Sequence, residues 1–269
     1  MAIIALQSAA SALSALNTAM DVTSNNLANI NTAGFKSSRA NFQDLLYIEQ
    51  QQPGIRNTNN DQRPTGLYVG LGTKVSGTQL DFKEGPPVAS GNPLDLMIQG
   101  NGFFRVGVQD SLGPGGFAYT RAGQFTVNSD GNIVLATDTG RKLDPPIQLT
   151  GDYSSVSVDA NGQVFVQRPA AQEPELVGTL TMTNFINPTG LKSVGENLYV
   201  ETGASGPPIE GKPGEQAFGT IQSGMYENSN VDPTTELVNL IRIQRAFEMN
   251  SNSIRAADQT LQAIAQLHR

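Results

Sequence analysis

Cysteine and tryptophan are absent from the 269 residues, and histidine occurs once. The absence of cysteine excludes disulfides, catalytic thiolates and cysteine-based zinc sites. The one histidine, His268, is the penultimate residue, so no histidine-centred triad, proton relay or metal cluster can be built from the sequence. We therefore expect no cofactor and no metal ion, and we identify no catalytic residue.

Basic clusters and long apolar runs are also missing. A net charge of -7 and a pI near 4.7, with lysine and arginine dispersed along the chain, argue against a nucleic-acid partner. No apolar run reaches the length of a transmembrane helix. The first basic residue is Lys36, and the apolar residues before it are spaced, so a cleaved signal peptide is not expected. Export would need another route.

Two motifs that could carry chemistry are incomplete. The stretch 128–132 resembles the middle of a calcium loop, but Thr126 and Thr137 stand where such a loop needs its first aspartate and its closing glutamate. A hairpin turn is predicted there instead. Asp81 and Glu84 could pair as glycosidase carboxylates, but their polar, turn-like surroundings would not raise the pKa of a carboxyl group.

The two ends of the chain carry apolar residues at heptad spacing. Asp232 is a suitable N-cap and Pro233 a suitable first residue, so a long helix is predicted from there onward. A matching helix is predicted for the first thirty residues. The two seams consist of Leu240, Phe247, Ile254 and Leu261 with Ile243, Asn250, Ala257 and Ile264, and of Leu6, Leu13, Met20 and Leu27 with Ala9, Leu16, Thr23 and Ile30.

The free energy gained by burying the seam residues is small compared with the conformational entropy cost of ordering both ends. The N-terminal segment is also rich in serine, threonine and asparagine, which are mediocre helix formers. We therefore expect the ends to be weakly ordered in a free monomer and to fold against other copies. An intramolecular helical hairpin attached to a globular domain is the alternative.

Between the ends, the sequence predicts short antiparallel strands separated by turns such as Asp130-Gly131 and Asn161-Gly162. The predicted strands are 94–99, 103–108, 124–127, 133–136, 156–158, 163–167, 178–184 and 197–201. A helix stop is predicted at Gly34 with Phe35 as an apolar anchor, and a short helical turn at 39–49. The polar, turn-rich stretch 51–64 is either a flexible loop or an ordered arm that packs on neighbouring copies. Extended strands or a hairpin at 66–82 would come next.

These elements predict an α+β fold, with paired coiled-coil helices at the termini flanking an extended arm and a mainly antiparallel β domain. The predicted division is an N-terminal helix at 1–31, an arm and hairpin at 32–87, an outer β domain at 88–218, and a return segment with the C-terminal helix at 219–269.

Motifs at both ends resemble the signatures of the bacterial flagellar rod and hook proteins. The segment NNLANINTAGFKSSRANFQDLL (25–46) is similar to their N-terminal signature, and SNVDPTTELVNLIRIQRAFEMNSNSIRAADQTLQAI (229–264) to their C-terminal one. DLMIQGNGFFRV (95–106), YTRAGQF (119–125) and GLKSVGENLYVET (190–202) also resemble this family. The resemblance covers most of the chain.

The resemblance implies a structural subunit that the flagellar type III apparatus exports unfolded and that polymerises in the periplasm into the hollow rod of the basal body. The terminal helices would form the inner tube, the arm would bridge subunits, and the β domain would face outward. The implied partners are further copies in a helical rod, other rod subunits and the hook protein, the surrounding P- and L-ring proteins and the export apparatus.

Within the family, the chain length and the extra arm at 50–67 favour a distal rod subunit. A proximal rod or hook subunit is the alternative, and a rod-associated cell-wall hydrolase a further one. Asn26, Asn29, Gly34 and Phe35 would set the turn from helix into arm. With the seam they form the predicted assembly interface: Leu6, Leu13, Leu16, Met20, Leu27, Asn26, Asn29, Gly34, Phe35, Leu240, Ile243, Phe247, Ile254, Leu261 and Ile264.

Overall fold

A computed structural model describes residues 2–54, 64–169, 173–215 and 217–267. Contacts within the chain define two units. The helical unit comprises Met1–Ala28, Ser38–Gln79 and Asp232–Arg269, and the β unit comprises Asn29–Ser37 and Leu80–Val231. The chain therefore passes from one unit to the other at four points. Terminal helices with mainly antiparallel strands between them confirm the α+β class.

The helical unit contains two helices and four strands in its described part. They are α1 (Ala2–Ala28), β1 (Ser38–Asp44), β2 (Tyr47–Gln51), β3 (Leu67–Gly70), β4 (Thr73–Leu80) and α2 (Pro233–Leu267). The 35 residues of α2 correspond to a length of roughly 50 Å. Neither helix, within the residues that the structure describes, is long and apolar enough to cross a bilayer.

The strands of the helical unit correct one prediction and refine another. The helical turn predicted at 39–49 is wrong, because β1 and β2 occupy that stretch. Pairing with other strands satisfies the backbone hydrogen-bonding groups of β1 and β2. An isolated short helix would be only marginally stable in water. Strands at 66–82 are confirmed, but β3 and β4 do not pair with each other. β3 pairs with β2, and β4 pairs with β1.

The β unit is built from short strands, with 3₁₀ turns at Pro114–Gly116 and Pro188–Gly190. Its strands are β5 (Pro87–Ala89), β6 (Leu96–Gln99), β7 (Phe103–Gly107), β8 (Phe117–Thr120), β9 (Phe125–Val127), β10 (Ile133–Leu135), β11 (Leu143–Asp144), β12 (Ser155–Val158), β13 (Gln163–Gln167), β14 (Glu175–Thr179), β15 (Met182–Asn184), β16 (Lys192–Gly195), β17 (Leu198–Val200), β18 (Ile209–Gly211), β19 (Thr220–Ser223) and β20 (Met225–Glu227).

The largest sheet of the described β unit has the order β16-β17-β8-β7-β15-β18, and β11 also pairs with β7. A second sheet has the order β12-β13-β14. Antiparallel pairs join β9 to β10, β6 to β19 and β5 to β20. The last two pairs tie the beginning of the β unit to its end.

Most predicted strands of the middle region are confirmed with shifts of one or two residues at their ends. The single strand predicted at 178–184 is wrong, since β14 and β15 lie there on two different sheets. Leu180 separates them, is buried, and donates its N–H to the carbonyl of Gly162 at 2.7 Å. The hairpin turn predicted at 128–132 is confirmed, with the Asn128 side chain accepting the N–H groups of Asp130 and Asn132.

The β unit has a core of its own. One buried cluster contains Phe104 and Phe125, whose rings meet edge to face at 5.1 Å between centroids. A second, aromatic cluster consists of Phe103, Tyr119, Phe185, Leu191 and Tyr199, with Phe82 packed against it. Burial of this kind stabilises a domain without help from a partner.

Candidate assembly interface

The half-buried side chains of α2 recur at the predicted seam positions. They include Leu240, Ile243, Phe247, Asn250, Ile254, Ala257 and Leu261. The side chain of the remaining seam residue, Ile264, lies outside the described set. α2 contacts α1, so this row of residues accounts for much of the surface that α2 buries within the chain.

α1 offers small residues and a few large ones to its neighbours. Ala9, Ala15, Ala19, Thr23 and Asn26 are buried. The larger seam residues Leu6, Leu13, Leu16, Met20 and Leu27 are half-buried. Small buried side chains let backbones approach closely, while the half-buried leucines retain apolar surface. A coiled-coil geometry and a role of these residues in assembly remain predictions.

The side of α2 away from the seam is also apolar. Leu237, Val238 and Ile241 are exposed, and Met249 is 64% exposed. A helix with an apolar stripe on one side and a polar face on the other would need a single partner. α2 has apolar residues on two sides, and within the described chain only one of them is covered.

Asn26 joins the end of α1 to the start of β1. Its amide Nδ2 donates to the carbonyl of Ser38 at 2.8 Å, and its Oδ1 accepts the N–H of Ser38 at 3.0 Å. The same Nδ2 lies 3.3 Å from Oε1 of Glu236 in the first turn of α2. One buried amide therefore holds three segments of the helical unit.

The start of α2 is capped as predicted. Oδ1 of Asp232 accepts the N–H of Thr234 at 3.1 Å, and Oδ2 accepts the hydroxyl of Thr235 at 2.5 Å. These hydrogen bonds, that from the Thr235 side chain above all, lower the pKa of the Asp232 carboxyl. A negative charge at a helix N-terminus is also favoured by the helix dipole.

The helix stop predicted at Gly34 is wrong, because α1 ends at Ala28 and a turn at Asn29–Thr32 comes next. The hydroxyl of Thr32 donates to Oδ1 of Asn29 at 3.1 Å within this turn. Gly34 is needed for a different reason. Its φ is +69°, and a Cβ there would lie 2.4 Å from the backbone nitrogen of Ala122. Its neighbour Phe35 is half-buried, and its carbonyl accepts the N–H of Asn230.

The strands before and after the predicted arm expose large apolar side chains. Leu46 is 82% exposed, and Phe42, Tyr47, Leu67 and Tyr68 are about half exposed. Two-stranded ribbons such as β2–β3 are marginally stable in water. The segment 55–63, the centre of the predicted arm, lies outside the described residues.

A buried group of charges lies in the β unit. Nζ of Lys36 donates to Oε1 of Glu227 at 2.5 Å and to the carbonyl of Lys83 at 2.5 Å. Oε2 of Glu227 is 3.4 Å from a guanidinium nitrogen of Arg121. The side chains of Lys36 and Glu227 are completely buried. We call Lys36, Glu227 and Arg121 the ion cluster.

Each member of the ion cluster has further partners. Glu227 also accepts the N–H of Gly85 at 2.8 Å, and Arg121 donates to the carbonyl of Gly100 at 2.7 Å. Burial is the main cause that lowers the pKa of the Lys36 ammonium and of the Arg121 guanidinium, and the Glu227 carboxylate partly opposes both changes. Two buried cations thus share the Glu227 carboxylate.

Sequence reasoning missed the ion cluster and Asn230. Lys36, Arg121 and Glu227 are separated by 85 and 106 residues along the chain, and no local pattern relates them. One signal was available. Lys36 and Arg121 lie inside the family motifs at 25–46 and 119–125, and each is a basic residue among neighbours that suit a buried strand or a turn. Burial of a charge without a partner is unfavourable, so a partner could have been sought.

Among the described residues, no group of three or more histidine, aspartate or glutamate side chains is arranged to hold a metal ion. A groove of about 250 Å³ in the helical unit is lined by Leu16, Ala19, Asn26, Arg242 and Ile243 among others. Its volume is below the range usual for small-molecule sites.

Three family descriptions match separate parts of the chain. Residues 6–36 match "Flagella basal body rod protein", residues 97–166 match "Flagellar hook protein FlgE/F/G D1 domain", and residues 222–267 match "Flagellar basal body rod FlgEFG protein C-terminal". Each match contains one member of the ion cluster: Lys36, Arg121 and Glu227 respectively.

Relatives cover the chain from end to end. The Caulobacter vibrioides protein named flagellar basal-body rod protein FlgG is 41% identical over 264 residues, which is 98% of each chain. Its namesake from Buchnera aphidicola subsp. Baizongia pistaciae is 40% identical over 263 residues, covering 98% of this chain and 99% of the relative. The Caulobacter vibrioides rod protein FlgF is 33% identical over 233 residues, covering 85% of this chain and 83% of the relative.

Proposed function

This chain belongs to the flagellar basal-body rod protein family, and we propose that it is a subunit of the distal rod, in which its terminal helices pair as a coiled coil and bundle with those of other copies. The family consists of structural proteins, so the chain is a component of the flagellar basal body and not a cell-wall hydrolase. Its helices, its arm and its β unit would each have a separate task in the rod.

The observation that carries the proposal is the second apolar side of α2. Pairing with α1 half-buries the seam side, while Leu237, Val238 and Ile241 stay exposed. Each of these side chains is 42–48% exposed, so removing the rest of its surface from water would contribute about half of the roughly 1.5 to 3 kcal/mol that full burial provides. Copies of the same helix pair are the partner we propose, because stacking identical subunits by a heterologous contact extends a filament without closing it.

The arm would lie between neighbouring subunits. The strands beside it expose apolar side chains, of which Leu46 and Tyr47 are examples, and these are poorly covered within the described chain. Packing against adjacent copies would cover them and would resist twisting of the shaft. The β unit, which has its own core, would face outward. There it would meet the P- and L-ring proteins, while other rod subunits and the hook protein would contact the ends of the rod.

The comparison with relatives favours the distal over the proximal rod. In Caulobacter vibrioides, the protein named FlgG shares 41% identity over almost the whole chain, whereas the one named FlgF shares 33% over a smaller part. Electron microscopy of basal bodies that contain a tagged copy would locate the subunit. A tag at the base of the rod or along the hook would contradict the distal assignment.

Replacement Ile241→Glu tests assembly through the exposed side of α2. We expect folded monomer and shortened or absent rods, because a charge would be buried in the bundle. Gln109→Glu is the matched control, since it adds the same charge at an exposed position of the β unit, outside the proposed helix contact. Rods of normal length with Ile241→Glu would refute the proposed contact. Hydrogen exchange on the free chain should show the terminal helices less protected than the β unit.

A further inference from the structure

Three segments of the β unit are joined where they continue into the helical unit. The chain crosses between the units after Ser37, before Leu80 and after Val231. Near these crossings, the N–H of Asp81 donates to the carbonyl of Ser37 at 2.8 Å. Asn230 completes the link: its Oδ1 accepts the N–H of Ser37 at 2.7 Å, and its Nδ2 donates to the carbonyl of Asp81 at 2.8 Å.

The ion cluster holds the same three segments a few residues further into the β unit. Lys36 belongs to the first segment, and Glu227 to the third. The second contributes the carbonyl of Lys83 and the N–H of Gly85. Arg121 then connects Glu227 to the body of the unit through the carbonyl of Gly100. Every segment therefore has a partner in each of the other two.

We propose that Asn230 and the ion cluster form a mechanical clasp, which shares a force applied to any one of the three segments among all of them. Asn230 and Glu227 act as positioning residues in this clasp. The proposal deepens the proposed function, since a rod subunit carries torque, but the clasp is a property of a single folded chain. If the experiment refutes the clasp, the proposed role of the helices in assembly is unaffected.

Burial and bond direction explain why these groups suit the task. The hydrogen bonds of Asn230 join the segments at the ends that continue into the helical unit, so pulling two segments apart there must break these bonds before the ion cluster is loaded. The side chains of Lys36 and Glu227 are inaccessible to solvent, so water cannot replace their bonds one at a time. A charge-assisted bond is roughly twice as strong as a neutral one. Without the clasp, a force applied to one segment would act on that segment alone until it gave way.

Force spectroscopy on the full chain tests the proposal. The absence of cysteine allows handles to be attached at Thr78→Cys and Thr234→Cys, which load the segments beside Leu80 and Val231. Unfolding of the chain between the handles would lengthen it by roughly 500 Å, which identifies the event. We expect Asn230→Ala to shorten the lifetime under constant force about tenfold or more, because bonds broken at the barrier affect the unfolding rate in full.

A second pulling direction is the control. Handles at Leu112→Cys and Tyr153→Cys, both exposed side chains, load the β unit away from the clasp. There, Asn230→Ala should leave the lifetime unchanged. An unchanged lifetime in the first direction, or an equal loss in both, would overturn the proposal. If Asn230→Ala does not fold, Lys36→Met provides the same comparison, and electron microscopy of rods reports separately on assembly.

Discussion

Replacement of Glu227 by glutamine should destabilise the β unit strongly. Glutamine has nearly the same shape and keeps an acceptor for the N–H of Gly85, but it removes the anion that Lys36 and Arg121 share. Breaking a buried ion pair by removing one partner typically costs about 3 to 5 kcal/mol. The ammonium of Lys36 can discharge and limit this cost, so we expect a loss of about 3 kcal/mol at neutral pH.

Urea denaturation of the full chain, followed by the circular dichroism of the strands, measures this loss. The midpoint of thermal unfolding should fall by roughly 6 to 12 °C for a unit of this size. Glu196→Gln is the matched control. It removes the partner of Arg141 at 3.2 Å, but that carboxylate is 37% exposed, so the loss should be about 0.5 kcal/mol or less.

The pH dependence gives a second criterion. Burial lowers the pKa of the Lys36 ammonium below its usual 10.5. In the alkaline range below 10.5, Lys36 therefore binds more protons in the unfolded chain than in the folded one, and its contribution to the free energy of unfolding rises with pH. The Glu227→Gln variant should show this rise more steeply, because its Lys36 has lost the carboxylate. Equal losses of stability for Glu227→Gln and Glu196→Gln would refute this account of the ion cluster. So would a loss for Glu227→Gln that grows between pH 7 and pH 10.

Three further predictions concern the assembly surface, the aromatic cluster and the arm. Phe247→Asp should abolish rod assembly while the β unit keeps its circular dichroism, and normal rods would contradict the seam; Gln109→Asp, at an exposed position of the β unit, is the control. Burial raises the pKa of the Tyr119 phenol to about 12, so the folded state loses stability above pH 10, by about 1.4 kcal/mol at pH 11. Tyr119→Phe should remove this contribution in alkaline denaturation and leave that of Tyr199, whose pKa burial also raises, whereas Tyr153→Phe, at a 41% exposed ring, should remove neither. Deletion of 57–63, outside the described residues, should change rod stiffness or length in electron micrographs; a pure export defect would contradict the proposed arm.

Heptad spacing located the half-buried side chains of α2, and the N-cap at Asp232 predicted the start of α2 to the residue. On α1 the spacing was less informative, because the buried Ala15, Ala19 and Asn26 lie off the predicted seam. The heptad spacing and the cap are both local properties. Successive heptad positions share one face, and a cap depends on atoms within three residues. Alternation and Asp-Gly or Asn-Gly turns located most strands between 94 and 201 for the same reason.

The missed strands depend on partners that are distant in sequence. β5 and β20 are three residues long and form only because they pair with each other across more than a hundred residues. β1 and β2 were predicted as a helical turn because their partners, β4 and β3, come after the arm. Tertiary pairing outweighs local propensity in such short segments. The ion cluster escaped prediction because its three charges come from three separate parts of the chain.

The two units obtain their stability in different ways, and this difference suits a subunit that is built into a shaft. The β unit buries two apolar clusters and an ion cluster within one chain, so we expect it to fold without a partner. The helical unit leaves Leu237, Val238 and Ile241 exposed even after its helices have paired. Its full stability must then depend on the concentration of neighbouring copies, as it does for any folded state that a partner stabilises. Folding of the β unit would therefore precede ordering of the helices, and growth of the rod would supply the missing contacts one subunit at a time.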